Sequence, residues 1–290
     1  MSEPRVLVDA RNILGEGPVW SVDEASLYWV DIKGRALHRC DAQGDRHRTW
    51  ALSTRASALS PRASGGLLLA TEDGFANFDT ETGELTLVTP LEEALPRNRS
   101  NEGKGDRQGR FWCGTMDDGE ENRSGALYRY DPDGTVTQHV DGVGISNTLA
   151  WSPDDRWLYF ADSLEQTLYR FAFDADTGTV SDREVFATTR GEDWTPDGAT
   201  IDAEGYLWSC QWDGWRVVRY APDGSVDRVI PLPVQRPTSC IFGGPDMSTL
   251  FITSARVGLD DAALETQPAA GAILALDTDT QGIPEVPFGG

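Results

Sequence analysis

Histidine and lysine are scarce in this chain of 290 residues: three histidines, His38, His47 and His139, and two lysines, Lys33 and Lys104. So few histidines argue against a histidine-rich zinc site or a Ser-His-Asp triad. Two lysines leave few candidates for Schiff-base chemistry. The four cysteines, Cys40, Cys113, Cys210 and Cys240, are widely spaced and form no Cys-x-x-Cys pair. That speaks against structural zinc and for free buried thiols. No apolar run is long enough to span a bilayer. The opening Met1-Ser2-Glu3-Pro4-Arg5 has no basic stretch followed by an apolar one, so no secretory signal is expected, and the cytoplasm is the expected compartment. There is no Gly-x-Ser-x-Gly elbow, phosphate loop or dinucleotide fingerprint. Basic residues are outnumbered, 25 against 47 Asp and Glu, giving a formal net charge of −22. Such a surface repels nucleic acid and anionic lipid, so neither is an expected partner.

What the chain does have is globular composition, with 39% hydrophobic residues, 30 Gly and 10 Trp, and a repeat. Turn-like runs begin at Ser21, Ser60, Asp106, Ser152, Asp202 and Gly244. After each comes a short aromatic or β-branched run, such as Leu27-Tyr-Trp-Val-Asp-Ile32, Arg110-Phe-Trp-Cys-Gly-Thr115 and Trp157-Leu-Tyr-Phe-Ala-Asp162. A second run follows, as in Ala126-Leu-Tyr-Arg-Tyr-Asp131, and hairpin turns such as Asp133-Gly134, Thr177-Gly178 and Asp223-Gly224 come next. The spacing of roughly 40–50 residues is that of a four-stranded propeller blade. The chain is therefore expected to be all-β: a single six-bladed β-propeller of four-stranded antiparallel blades over residues 1–290, with no helix of good length. Arg5-Val-Leu-Val-Asp9 is expected to pair with the last blade and close the ring. Trp20, Trp112, Trp151, Trp157 and Trp208 read as wedges between blades. Trp194, Trp212 and Trp215 lie nearer loops, where one could stack on a sugar ring.

Five residues before each repeat start stand Glu16, Arg55, Asn101, Asn147, Asp197 and Ser239. Repeats place equivalent positions around one axis, so Glu16, Asn101, Asn147 and Asp197 are expected to converge at one mouth of the channel. Converging carboxylate and amide oxygens suit a hard divalent cation, with Glu16, Asn147 and Asp197 as ligands and Asn101 beside them. Calcium, magnesium, manganese and iron(II) all fit, and zinc is possible. A single Asn or Asp before a strand would as readily cap a turn; four of six equivalent positions is a different matter. Arg99, in the charged run to Lys104, reads either as a contact to a substrate oxygen or as a solvated loop cation. Likewise Asp117-Asp118-Gly119-Glu120-Glu121-Asn122 either supplies an acid to sugar hydroxyls or is solvated.

Leu14-Gly-Glu-Gly-Pro18 with Trp20 and Tyr28-Trp-Val-Asp31, then Arg99-Ser-Asn101, Gly114-Thr-Met116, Ser146-Asn147 and Pro196-Asp-Gly198 occur in that order. The ordered set resembles the gluconolactonase/regucalcin family of sugar lactonases, over nearly the whole chain. The Gly114-to-Asn122 phrase is similar to bacterial xylono- and arabinonolactonases. The resemblance implies one divalent cation on Glu16, Asn147 and Asp197, with Asp197 also the catalytic acid/base. It puts substrate contacts on Arg99 and Asn101, and on an acid after Met116, with Glu120 and Glu121 both candidates. Two departures stand out: Glu102 where the family usually has Asp, and Thr148 where glycine often follows the metal Asn.

The implied reaction is hydrolysis of an aldono-1,4- or 1,5-lactone to its aldonic acid in sugar catabolism, with the cation as Lewis acid. The expected partner is a small sugar lactone, and the expected assembly a monomer or weak oligomer. The alternatives are another metal-dependent propeller hydrolase, broad-lactonase or phosphotriesterase-like, and a non-enzymatic propeller that binds calcium or a protein.

Overall fold

The computed structural model describes residues 2–290. Six four-stranded antiparallel sheets follow one another along the chain. The first strand of each is β1 (Gly15–Ser21), β2 (Ala56–Pro61), β3 (Asn98–Gly105), β4 (Ser146–Trp151), β5 (Thr195–Ile201) and β6 (Pro237–Gly243). Each packs against the first strands of the blades on either side, and β1 meets β6. These six strands are therefore the wall of a closed central channel, and the chain is a six-bladed β-propeller.

The blades follow from the repeat chemistry. The turns after β3 and β5 begin with Asp106 and Asp202, both fully buried. Each carboxylate accepts two backbone amides of its own turn. Each also accepts an indole N–H from the next strand, Trp112 to Asp106 and Trp208 to Asp202, both at 2.9 Å. The buried charges are paired by Arg110 and Arg219. Turn acid and blade-core tryptophan thus form one satisfied unit, which buried polar groups require. Strand Arg5–Val8 pairs with Ile273–Asp277 and becomes the outermost strand of the last blade, so the first and last stretches of chain share a sheet and close the ring, leaving only short outer edges.

Three local details complete the fold. A six-residue helix, α1 (Asp261–Thr266), sits in blade 6 with Asp260 as its N-cap, accepting from Ala263 N at 2.8 Å; it is too short to show a helical period. Trp157 is only partly buried: it packs against the cluster between blades 4 and 5 and lies under the Arg170 guanidinium at 4.4 Å. The four cysteines are buried and unpaired.

One end of the channel is closed. Residues 281–289 cross that face, bonded to Ala203 and Met247 on one side and to Pro61 and Gly109 on the other. Phe288 is buried against Tyr130 at 5.3 Å between ring centres. A void of only about 30 Å³ remains between this segment and Lys104, Ala150 and Thr200. No helix among the described residues is long and apolar enough to cross a membrane.

Candidate functional site

Every inner strand is irregular at the same height. Pairing with the second strand shifts between Glu16 and Val19, Ala56 and Ala58, Ser100 and Gly103, Asn147 and Ala150, Pro196 and Ala199, and Pro237 and Cys240. A bulge sets extra residues against the partner strand, bends the chain and re-aims side chains. The six register positions lie at or beside these bulges. The repeat thus delivers them to the open mouth of the channel, where a regular strand would have turned alternate side chains back into the blade.

There Glu16, Arg99, Asn101, Glu120, Asn147 and Asp197 line one cavity of about 430 Å³. All six residues singled out in the sequence are brought together. Leu14, Met116, Ile145, Leu164 and Trp212 supply apolar wall. The other two register positions serve differently. Arg55 turns to Glu72 (2.7 Å) and Asp118 (2.9 Å). Ser239 is buried beneath Gly198, where a Cβ would collide with it.

Hydrogen bonds order the cavity. Glu16 Oε2 accepts from Gly17 N at 3.1 Å, Glu102 Oε1 from Gly103 N at 3.0 Å, and the Asp197 carboxylate from Gly198 N. Arg99 Nε donates to Asp118 at 2.7 Å, and its Nη1 to Ser100 O (2.9 Å) and Asn101 Oδ1 (2.7 Å). Asn101 Nδ2 donates to Ser146 O at 2.8 Å and to Asn147 Oδ1 at 3.3 Å. Asn101 is therefore a brace between Arg99 and Asn147.

The turn after Met116 separates its acids. Asp117 is fully buried and gathers Arg97, Asn122 and the Glu121 amide. Glu121 pairs with Arg97 at 2.6 Å, away from the cavity, while Glu120, at φ +58°, lines it. Asp118 and Ser163 are site residues that sequence reasoning missed, whereas Trp212, one of the three tryptophans read as lying near loops, does line the cavity. The signal for Asp118 was present in the acidic run, which strand pairing of Arg99 with Met116 carries alongside the arginine.

The electrostatics are those of acids short of a cation. Burial, then the Asp197 and Glu102 charges, hold the Glu16 carboxyl well above the ordinary glutamate range. Burial, then Glu102, do the same to Asp197. Among the described residues neither carboxylate enters an ion pair within salt-bridge distance, and Arg99 attracts both only from farther off. Like charges buried together without a partner are costly unless protonated or met by a cation. No three His, Cys, Asp or Glu side chains form a metal-holding group among the described residues; this donor set is two carboxylates completed by the Asn147 amide oxygen. All-oxygen donors with two negative charges suit a hard divalent ion. A neighbouring cavity of about 770 Å³ is larger, but of its five acids Glu72 and Asp118 are held by Arg55, and Glu92 accepts from Asn98, Thr115 and Tyr128.

Comparisons with known proteins identify the family and agree with the fold. Residues 14–256 match the family model described as the SMP-30/Gluconolactonase/LRE-like region. The chain is 37% identical to the pentonolactonase XacC of Haloferax volcanii over 287 residues, covering 96% of each chain. It is 37% identical to regucalcin of Gallus gallus over 284 residues, 96% of this chain and 95% of that one. A crystal structure of a calcium-binding regucalcin from Agrobacterium tumefaciens superposes with a TM-score of 0.95 at 35% identity, covering 99% of both chains. By sequence, fold and site geometry together, this chain belongs to the SMP-30/gluconolactonase/LRE-like family.

Proposed function

We propose that this chain is a metal-dependent hydrolase that opens sugar lactones to aldonic acids in the cavity at the open end of the channel. The observation that carries this reading is the pair of buried, unneutralised carboxylates, Glu16 and Asp197, facing one cavity with the Asn147 amide. Glu16, Asn147 and Asp197 would hold the cation, which when bound supplies Lewis-acid polarisation of the ester carbonyl. The relatives named as lactonases support the class of substrate. Among lactones, a pentonolactone is the proposed substrate.

The chain's own residues account for the rest. Asp197 receives the proton of the attacking water on its carboxylate as the new C–O bond forms. When the acyl–oxygen bond of the ring breaks, that proton passes to the departing ring oxygen, leaving a hydroxy acid. Arg99, held by Asp118, donates to a ring oxygen, and Asn101, whose N–H groups go to Ser146 O and Asn147 Oδ1, offers its Oδ1 to a sugar hydroxyl. Glu120 at the mouth accepts from a sugar hydroxyl. The Leu14, Met116, Ile145 and Trp212 wall covers the C–H face of the ring and keeps bulk water out.

The test is acid release from freshly made aldonolactones, corrected for spontaneous hydrolysis, with calcium, magnesium, manganese, zinc and iron(II) in turn. Acyl lactones and organophosphates serve as comparison substrates. Asp197→Ala and Asn147→Ala should remain folded and lose activity together with bound metal. Full activity after exhaustive chelation would overturn the metal role. Faster turnover of organophosphates than of any sugar lactone would overturn the substrate class.

A further inference from the structure

Two hydroxyls of blade 4 reach across to blade 5 and bind consecutive backbone carbonyls. Ser163 Oγ donates to Pro196 O at 2.6 Å, and Thr148 Oγ1 donates to Asp197 O at 2.6 Å. Both residues are buried, Thr148 completely. Thr148 directly follows Asn147, and Ser163 follows the second strand of the same blade, Trp157–Asp162. Asp162 positions it by accepting from Ile145 N, Gly144 N and Leu164 N.

Ser163 also accepts from Asn147 Nδ2 at 2.8 Å, and counting protons shows that this is the only arrangement allowed. A carbonyl can only accept, so the single hydroxyl proton of Ser163 is committed to Pro196 O. Toward Asn147 the hydroxyl has only a lone pair to offer, and the carboxamide must present its N–H. The other end of the chain is equally fixed. Arg99 can only donate, so Asn101 turns Oδ1 to it and Nδ2 to Asn147 Oδ1. The donors run one way, Arg99 to Asn101 to Asn147 to Ser163 to Pro196 O. Neither amide can flip without setting two donors or two acceptors against each other.

Thr148 carries independent evidence. Its φ is +56°, a left-handed conformation that β-branched residues rarely take. Gly17 occupies the matching place after Glu16 at φ +54°, where a Cβ would lie 2.8 Å from Ser57 O. Threonine at such a bend persists only where surrounding contacts hold it, and here its hydroxyl is bonded to the backbone of Asp197.

We propose that Ser163 and Thr148 are positioning residues for the cation site: Ser163 fixes which end of the Asn147 carboxamide serves as ligand, and Thr148 locks the Asn147 strand to the backbone of Asp197. The inference rests on Glu16, Asn147 and Asp197 being the cation ligands. Outer partners of this kind typically change metal affinity by about 10–100-fold.

The experiment is calorimetric titration of chelator-stripped full-length protein with Mn²⁺ alone, with no lactone present. Ser163→Ala should weaken Mn²⁺ binding at least about tenfold. In an Asn147→Asp background the same change should cost less than about threefold, because a carboxylate has no N–H end to orient. Equal losses in both backgrounds would mean that Ser163 is merely structural and would overturn its role. Thr148→Ser should bind within about twofold of the original protein. Thr148→Gly, which relieves the backbone but lacks the hydroxyl, should lose about tenfold. Unchanged binding by Thr148→Gly would overturn the lock. The threonine pair also carries the test if Ser163→Ala does not fold. An original protein that binds no divalent cation would sink the site assignment and this inference with it. Binding that is indifferent to both hydroxyls sinks the inference alone.

Discussion

Replacing Glu102 by glutamine tests the electrostatics of the channel floor. Glu102 is buried next to Asn101, and burial raises its carboxyl from the ordinary 4.5 to about 7, with Lys104 pulling the other way. At about 1.4 kcal/mol per pH unit, ionising this group in the fold costs about 3 kcal/mol. The sign follows from linkage. Below pH 4.5 the group is protonated in folded and unfolded chains alike and contributes nothing. Between 4.5 and about 7 the unfolded chain releases the proton first, so stability falls as pH rises. Above about 7 the full cost is present. Glu16, Asp197 and Glu285 shift in the same direction, so the metal-free protein should lose stability across this window as a whole. Urea denaturation of chelated protein at about pH 4 and about pH 8 reads the difference. Glu102→Gln should match the original at the low pH and be more stable by up to about 3 kcal/mol at the high one. A glutamine variant less stable at high pH would show that attraction to Lys104 outweighs burial, and the reasoning would fail.

Asp118→Ala strips Arg99, itself 7% exposed, of its carboxylate partner and leaves only neutral acceptors. Because Asp118 is 37% exposed, the loss should be about 2 kcal/mol rather than that of a fully buried pair. Calorimetry should show Tm lower by about 3 °C, and lactone KM should rise; unchanged values of both would refute the clamp. A divalent cation at about a hundredfold over Kd should stabilise the folded protein by about 3 kcal/mol. That gain should vanish in Asp197→Ala, and an undiminished gain there would remove Asp197 from the ligand set. Because both carboxylates must ionise to bind, the gain should grow as pH rises. Trp212→Ala should raise KM for sugar lactones about threefold to tenfold with little change in kcat, the size of one lost aromatic contact. A fall in kcat alone would mean that the indole orders the reacting groups rather than packing on substrate.

The blade count and strand order were legible because each repeat begins with a turn, at Ser21, Ser60, Asp106, Ser152, Asp202 and Gly244, and runs on into a short apolar strand. Asp106 with Trp112 and Asp202 with Trp208 show the physical link. The convergence of Glu16, Asn101, Asn147 and Asp197 was legible for the same reason: register alone predicts it. The bulges that aim these residues inward were not, since a bulge is a matter of pairing between strands and leaves only a faint trace, such as Gly17 and Gly198, in one strand. Nor was Asp118. A run of acids does not say which member faces an arginine until the turn is built, and here Asp117 takes the core, Asp118 the arginines and Glu120 the cavity. The helix in blade 6 was invisible because six residues are fewer than two turns.

Pseudo-symmetry has a cost that this ring avoids by being unequal. Asp197 and Glu102 already push the Glu16 carboxyl upward, and Glu102 and Glu120 push that of Asp197; acids at all six register positions would be untenable in a cavity of about 430 Å³. Blades 4, 5 and 1 carry Asn147, Asp197 and Glu16, with Ser239 of blade 6 too short to reach the cavity. Blades 2 and 3 carry Arg55 and the Arg99–Asn101 pair, tied together by Asp118. The acids of blades 5 and 1 thus lie apart from Arg99 of blade 3, the cavity's other cation, Arg236, is held by Asp213, and Arg99 draws both carboxyls back toward ionisation. In the proposed reaction a cyclic ester would meet different chemistry at its carbonyl and at its hydroxyls. Its orientation would then be set by the breaking of the repeat, while the fold that places those residues is set by keeping it.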